Sequence, residues 1–182
     1  MTADLRALRD APYELLAAME ARVRASRPDV VQRRAEYWLG LGFRLRDRWC
    51  VAPREDVREI IATPQMTRTP GAKPWLLGVA NVRGSILPVA DLAVFLGLPR
   101  RSELGSSRVL VFNSTRVPIG FLVDEVAGYR QFGAGDQHHE QLEQAGAFAP
   151  FLLGAFEREN QPWLAFSFNK VVASPEFSHA GW

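Results

Sequence analysis

Cysteine is almost absent from this chain of 182 residues: Cys50 is the only one, so no internal disulfide can form and no oxidising compartment is required. It lies between Trp49 and Val51, where a buried, inert thiol is expected. Lysine is nearly as scarce, with only Lys73 and Lys170, so arginine carries almost all the positive charge. The net charge of +2 is too slight to argue for nucleic acid. Arg33-Arg34 and Arg100-Arg101 are the densest basic spots, and neither interleaves with aromatics as a single-strand binder requires. Long apolar runs are missing too. No stretch approaches the ~20 residues that span a bilayer, and Met1 to Asp10 lacks the apolar centre of a signal peptide. The expectation is a cytoplasmic protein with no direct membrane insertion.

Chemistry-bearing sets are equally thin. His138-His139-Glu140 is the one metal-like cluster, and adjacent histidines on a polar loop without a third ligand in register make a poor site. Asp124-Glu125 pairs two acids, but neighbours on a strand point to opposite faces and cannot jointly flank one bond. No nucleophile, base and orienter come together. No catalytic residue, metal or cofactor is therefore expected.

Apolar residues make up 47% of the chain, enough to fold as one domain or as two small lobes sharing a core. At the N-terminus, Asp10 can cap a helix, with Pro12 in its first turn and Leu15, Leu16, Met19 and Val23 at helical spacing. A second short helix is expected from Val30 to Trp38. This arm either packs on the body of the protein or docks a partner.

From Gly42 the period becomes two. Phe43 and Leu45 face one way, Arg44 and Arg46 the other, and Trp49-Cys50-Val51 returns after a turn at Asp47-Arg48. Pro53 with Glu55 and Asp56 predicts a short helix, with Val57, Ile60 and Ile61 as its buried stripe. A hairpin over Gly78 to Val89 follows, and Asp91 caps a short helix ended by Gly97. Strands are expected at 109–112, 119–124, 126–132, 151–156 and 163–166, with Ser167 or Asn169 capping a terminal helix and a frayed tail after Pro175. Many short strands between glycine and proline turns argue for barrels rather than an open parallel sheet.

The most informative stretch is Leu77 to Leu92. Two apolar runs flank Arg83-Gly84-Ser85, and Gly84 permits the positive φ of a tight hairpin, which places an arginine at the tip. A guanidinium there can offer a two-pronged donor to a carboxylate or to helix-end carbonyls. Asn81 is expected to satisfy backbone groups beside the turn.

These residues carry a resemblance. Gly78, Asn81, Arg83, Gly84, Pro88, Val89, Asp91 and Leu92 follow the pattern of the CheW-like coupling proteins. Leu122-Val123-Asp124-Glu125-Val126 and Val57-Arg58-Glu59-Ile60 resemble two further motifs of that family, in the same order. The N-terminal extension, the stretch from Trp38 to Phe43 and the Gln161 to Phe166 strand are similar to the branch that serves type IV pilus twitching motility. The resemblance implies a mainly β fold of two packed five-stranded barrels with short helices. The first and last strands would form one lobe and the middle strands the other. It implies an extension at 1–39, a coupling domain at 40–175 and a tail at 176–182. It implies a non-enzymatic adaptor in chemotaxis-type signal transduction, whose partners are a chemoreceptor cytoplasmic tip and a CheA-like histidine kinase regulatory domain. Arg83, Val57, Glu59 and Asn81 would lie on the receptor-contacting side, and Gly78 and Gly84 at positions where bulk disturbs coupling. The alternative is a small β-barrel nucleic-acid-binding protein, whose binding would fall steeply with salt.

Overall fold

The structure, a computed structural model, describes residues 37–100, 105–138 and 140–178. The helices expected before residue 39 fall outside that range, except that Tyr37 and Trp38 open a strand. Among the described residues, ten strands form two five-stranded sheets. The first sheet holds β1 (Tyr37–Leu45), β2 (Arg48–Pro53), β8 (Glu125–Gly133), β9 (Leu152–Arg158) and β10 (Gln161–Phe166), in the order β8-β1-β2-β10-β9. The second holds β3 (Val57–Ala62), β4 (Leu76–Val82), β5 (Ser85–Asp91), β6 (Arg108–Phe112) and β7 (Gly120–Val123), in the order β3-β6-β7-β5-β4. First and last strands thus share one lobe and the middle strands the other. Among the described residues there are four short α-helices: α1 (Leu92–Phe95), α2 (Glu140–Glu143), α3 (Phe168–Ala173) and α4 (Pro175–Ser178).

Each sheet curls until its edges meet. Thr67, beyond β3, exchanges two backbone hydrogen bonds with Val79 of β4, at 2.8 and 2.9 Å. Gln137, beyond β8, bridges Phe156 of β9, and His138 donates to the Ala155 carbonyl at 2.9 Å. Each closure pairs one position of an edge strand, Val79 of β4 and Phe156 of β9, and so leaves less of that edge open.

The shared core lies between the sheets. Phe168 of α3 stacks on Phe43 of β1, with centroids 5.6 Å apart, and on Phe121 of β7 at 4.9 Å. One ring thus ties the lobes together, and truncating such a side chain typically costs about 3–5 kcal/mol. A smaller cluster of Ala80, Val89, Val109 and Leu122 fills the second lobe.

Three expectations fail. The helix predicted from Pro53 is a single 3-10 turn at Arg54–Asp56, and Val57 to Ala62 is a strand paired with β6. Ile60, placed on a buried stripe, is 41% exposed. β-branched residues resist helix and favour the pleat, and here they outweigh an N-terminal helix signature. The turn after β1 is Arg46-Asp47, one residue earlier than expected, with Leu45 paired to Arg48. The tail is not frayed through Ser178: Phe177 of α4 is buried and stacks on Trp75 at 5.2 Å.

Candidate functional site

The β4–β5 hairpin turns in two residues. Val82 pairs with Ser85, and Arg83 and Gly84 both have positive φ, 52° and 82°. This is the type I′ geometry whose twist suits a two-residue hairpin. Asn81 holds the turn from beneath, its Oδ1 accepting from the Gly84 amide at 2.9 Å, as its position suggested. Arg83 is a non-glycine residue in the left-handed region, a conformation that costs about 1–2 kcal/mol. The bend therefore fixes where the guanidinium begins.

Glu59 supplies what the sequence did not reveal. Arg83 Nη2 lies 3.1 Å from Glu59 Oε2, joining the hairpin tip to the opposite edge of the second sheet. The arginine side chain remains 80% exposed while the glutamate is 21% exposed. Glu59 shares a face of β3 with Val57 and Ile61, which pack toward the core. Arg58 also approaches Glu59, at 3.6 Å. An exposed pair of this kind adds little stability. Its effect is orientation: one carboxylate oxygen holds one end of the fork and the remainder faces solvent. Ile86, directly across from Asn81, is 64% exposed and adds an apolar neighbour to this charged tip.

The two glycines differ in kind. Gly84 has open space where a Cβ would project. Gly78 has φ 145°, and a Cβ there would fall 2.2 Å from the Thr67 carbonyl oxygen, at the bridge that closes the second lobe. Val57 opens β3 opposite Phe112, half-buried and packed on the main core, which makes it a support for the edge. The structure brings Arg83, Glu59, Asn81 and Gly84 together at one tip and leaves Gly78 lower on β4.

The Asp124-Glu125 pair has a structural partner set. Arg44 Nη2 meets Glu125 Oε2 at 2.7 Å, and Arg46 Nη1 meets Asp124 Oδ1 at 2.6 Å. The Arg46 backbone amide donates to the other oxygen of Asp124, and its guanidinium donates to the Pro99 carbonyl at 2.6 and 3.0 Å. Asp124, with its amide on the Arg44 carbonyl, thus fastens the β1–β2 turn to the end of β7. The two carboxylates serve separate arginines, and their alternation was the only part legible beforehand. His138 lies 3.8 Å from Glu157, and among the described residues no three His, Cys, Asp or Glu side chains could hold a metal. Asp91 caps α1, its Oδ1 accepting from the Val94 amide at 3.1 Å. Cys50 is fully buried, which pushes its thiol pKa far up. No helix among the described residues is long and apolar enough to cross a membrane.

Comparison with known proteins bears on this geometry. Residues 39–176 match the CheW-like domain family. The chain is 42% identical to the protein PilI of Pseudomonas aeruginosa over 159 residues, 86% of this chain and 88% of that one. It is 35% identical to the chemotaxis protein CheW of Bacillus subtilis over 69 residues, 38% of this chain and 44% of that protein. The crystal structure of the scaffolding protein TtCheW from Thermoanaerobacter tengcongensis superposes with a TM-score of 0.64 at 18% identity, covering 76% of this chain and 94% of that chain. That likeness concerns the fold.

Proposed function

The chain belongs to the CheW-like family, and on that premise we propose that it is a non-enzymatic adaptor coupling a methyl-accepting chemoreceptor to a CheA-like histidine kinase. The 42% identity to PilI across most of both chains supports assigning it to a type IV pilus system controlling twitching motility. In this reading residues 40–175 are the coupling domain, 1–39 an extension and 176–182 a tail. The protein is cytoplasmic and is recruited to membrane-associated receptor arrays through its partners.

The observation that carries the reading is the hairpin tip. A guanidinium held at one end by Glu59 and exposed at the other is built to engage a carboxylate or the carbonyl end of a helix. Arg83 makes the receptor contact, Glu59 aims it, Asn81 fixes the turn and Val57 supports the edge strand. Gly84 permits the bend and Gly78 the closure of the lobe. The mechanism is placement: two modest interfaces hold the kinase where receptor motion biases its active and inactive states. Micromolar affinity at each, about −8 kcal/mol, suffices when an array supplies multivalency.

Reconstitution tests the reading. Purified chain, a receptor cytoplasmic fragment and the kinase are mixed, and autophosphorylation is followed with and without the chain. Receptor control of the kinase is expected only when the chain is present. A folded chain that joins neither partner would refute the adaptor role.

A further inference from the structure

At the other end of β4, away from the hairpin tip, the surface dips into an open depression of about 460 Å³. Its apolar floor includes Met66, Leu76 and Leu77, and three cations, Arg68, Lys73 and Arg100, line it. The segment that carries Arg68 and Lys73 is pinned. Thr67 is bonded to Val79, Leu76 donates to the Lys73 carbonyl at 2.9 Å, and Asp91 donates through its amide to the Trp75 carbonyl at 2.8 Å. Arg100 is tied by its guanidinium to the Pro74 carbonyl.

The charge here is unbalanced. Arg44, Arg46 and Arg83 each sit against a carboxylate, whereas among the described residues neither Arg68 nor Lys73 makes an ion pair. Among the described residues the one acid lining the depression, Asp91, is 4% exposed and spends its carboxylate on capping α1. In a chain of nearly balanced charge, this hollow joins an apolar floor to Arg68 and Lys73, which no carboxylate among the described residues compensates.

We propose that this depression is a docking site for an acidic segment of a protein partner, one whose carboxylates alternate with apolar side chains. The cations meet the carboxylates, and the apolar side chains cover Met66, Leu76 and Leu77. A free inorganic anion would leave that floor bare. Leu77 lies six residues from Arg83 along β4, roughly 20 Å away, so the site is separate from the tip. The assignment goes beyond the coupling role and does not rest on it.

The test uses the full chain and a fluorescein-labelled peptide, Glu-Leu-Glu-Leu-Glu, followed by anisotropy, with Gln-Leu-Gln-Leu-Gln as control. The acidic peptide is expected to bind and to weaken as salt rises. The double variant Arg68→Glu/Lys73→Glu is expected to lose at least tenfold in affinity, while Arg130→Glu, on β8 in the other lobe, binds within twofold of the parent. If the double reversal lowers the melting temperature, Arg68→Gln/Lys73→Gln takes its place, and at least a threefold loss is expected. Equal binding of the glutamine peptide, or unchanged affinity in the double variants, overturns the proposal. So does displacement by inorganic phosphate where sodium chloride of equal ionic strength has no effect, which would mark a small-anion site. Loss of binding in Arg130→Glu alone would move the peptide to the other lobe and likewise overturn it. Failure of receptor coupling leaves all these readouts untouched.

Discussion

Replacing Gly78 by alanine should damage the fold rather than a contact surface. The new Cβ would stand 2.2 Å from the Thr67 carbonyl oxygen and 2.8 Å from its carbon, both of them backbone atoms that cannot swing aside. Relief requires the 67–79 bridge to open, forfeiting hydrogen bonds of 2.8 and 2.9 Å worth about 1 kcal/mol each. The backbone at φ 145° adds strain of about 1–3 kcal/mol for any residue with a side chain. Together these give a loss of about 3–5 kcal/mol by the same figures, a large share of the ~5–15 kcal/mol that holds a typical domain. At ~2–4 °C per kcal/mol for a protein of this size the melting temperature should fall by roughly 10 °C. Gly84→Ala is the comparison. Its Cβ meets nothing, so only the φ of 82° costs, about 1 kcal/mol. Urea unfolding of both variants decides the matter. A Gly78→Ala protein within about 0.5 kcal/mol of the parent, the scatter of an ordinary surface substitution, would refute the reasoning.

Three other perturbations separate the roles assigned above. Asp124→Asn should destabilise by about 3–5 kcal/mol, because Arg46 would keep a largely buried charge without its counter-charge; thermal unfolding in which Arg46→Met/Asp124→Leu is no more stable than the single variant would contradict this. Asp56 is buried, and Asn169 Nδ2 donates to its Oδ1 at 2.7 Å; that bond and the backbone amides of Phe168 and Asn169 only partly offset the burial. Burial, then the neighbouring Glu55, hold its pKa above the usual 3.8. The native state therefore keeps this proton longer than the unfolded state as pH rises, so stability falls between 3.8 and the raised folded value. Asp56→Asn should exceed the parent in stability at neutral pH and lose that advantage below 3.8, and a pH-independent difference would contradict the assignment. Cys50 should resist thiol reagents in the native protein and react at once in denaturant; rapid native labelling would show that the first lobe opens.

Much of this architecture is written in local pattern. The β1–β2 and β4–β5 hairpins follow from period-two alternation and from Gly84, and the cap of α3 is narrowed to Ser167 or Asn169, of which Ser167 serves, its Oγ accepting from the Lys170 amide at 3.2 Å. The two-lobe arrangement came from the family resemblance instead. Failures arise where local signals conflict or where partners are remote. Pro53, Glu55 and Asp56 read as the start of a helix, yet Val57, Ile60 and Ile61 gain more by pairing with β6. Glu59 and Arg83 meet only because the second sheet curls shut, and Arg46 and Asp124 lie 78 residues apart. No window of sequence contains either pair. Phe177 follows a proline near the chain end, where fraying is the usual outcome, but its ring fits against Trp75.

The arginine at the hairpin tip is the residue on which the proposed coupling role depends. Its most direct test is the affinity of Arg83→Glu for a receptor cytoplasmic fragment, measured beside its affinity for the kinase regulatory domain and its unfolding free energy. Losing a central arginine from an interface typically costs ~2 kcal/mol or more, so receptor affinity should drop about thirtyfold, with kinase affinity unchanged and stability altered by no more than about 1 kcal/mol. Receptor binding equal to that of the parent protein would contradict the docking role assigned to Arg83.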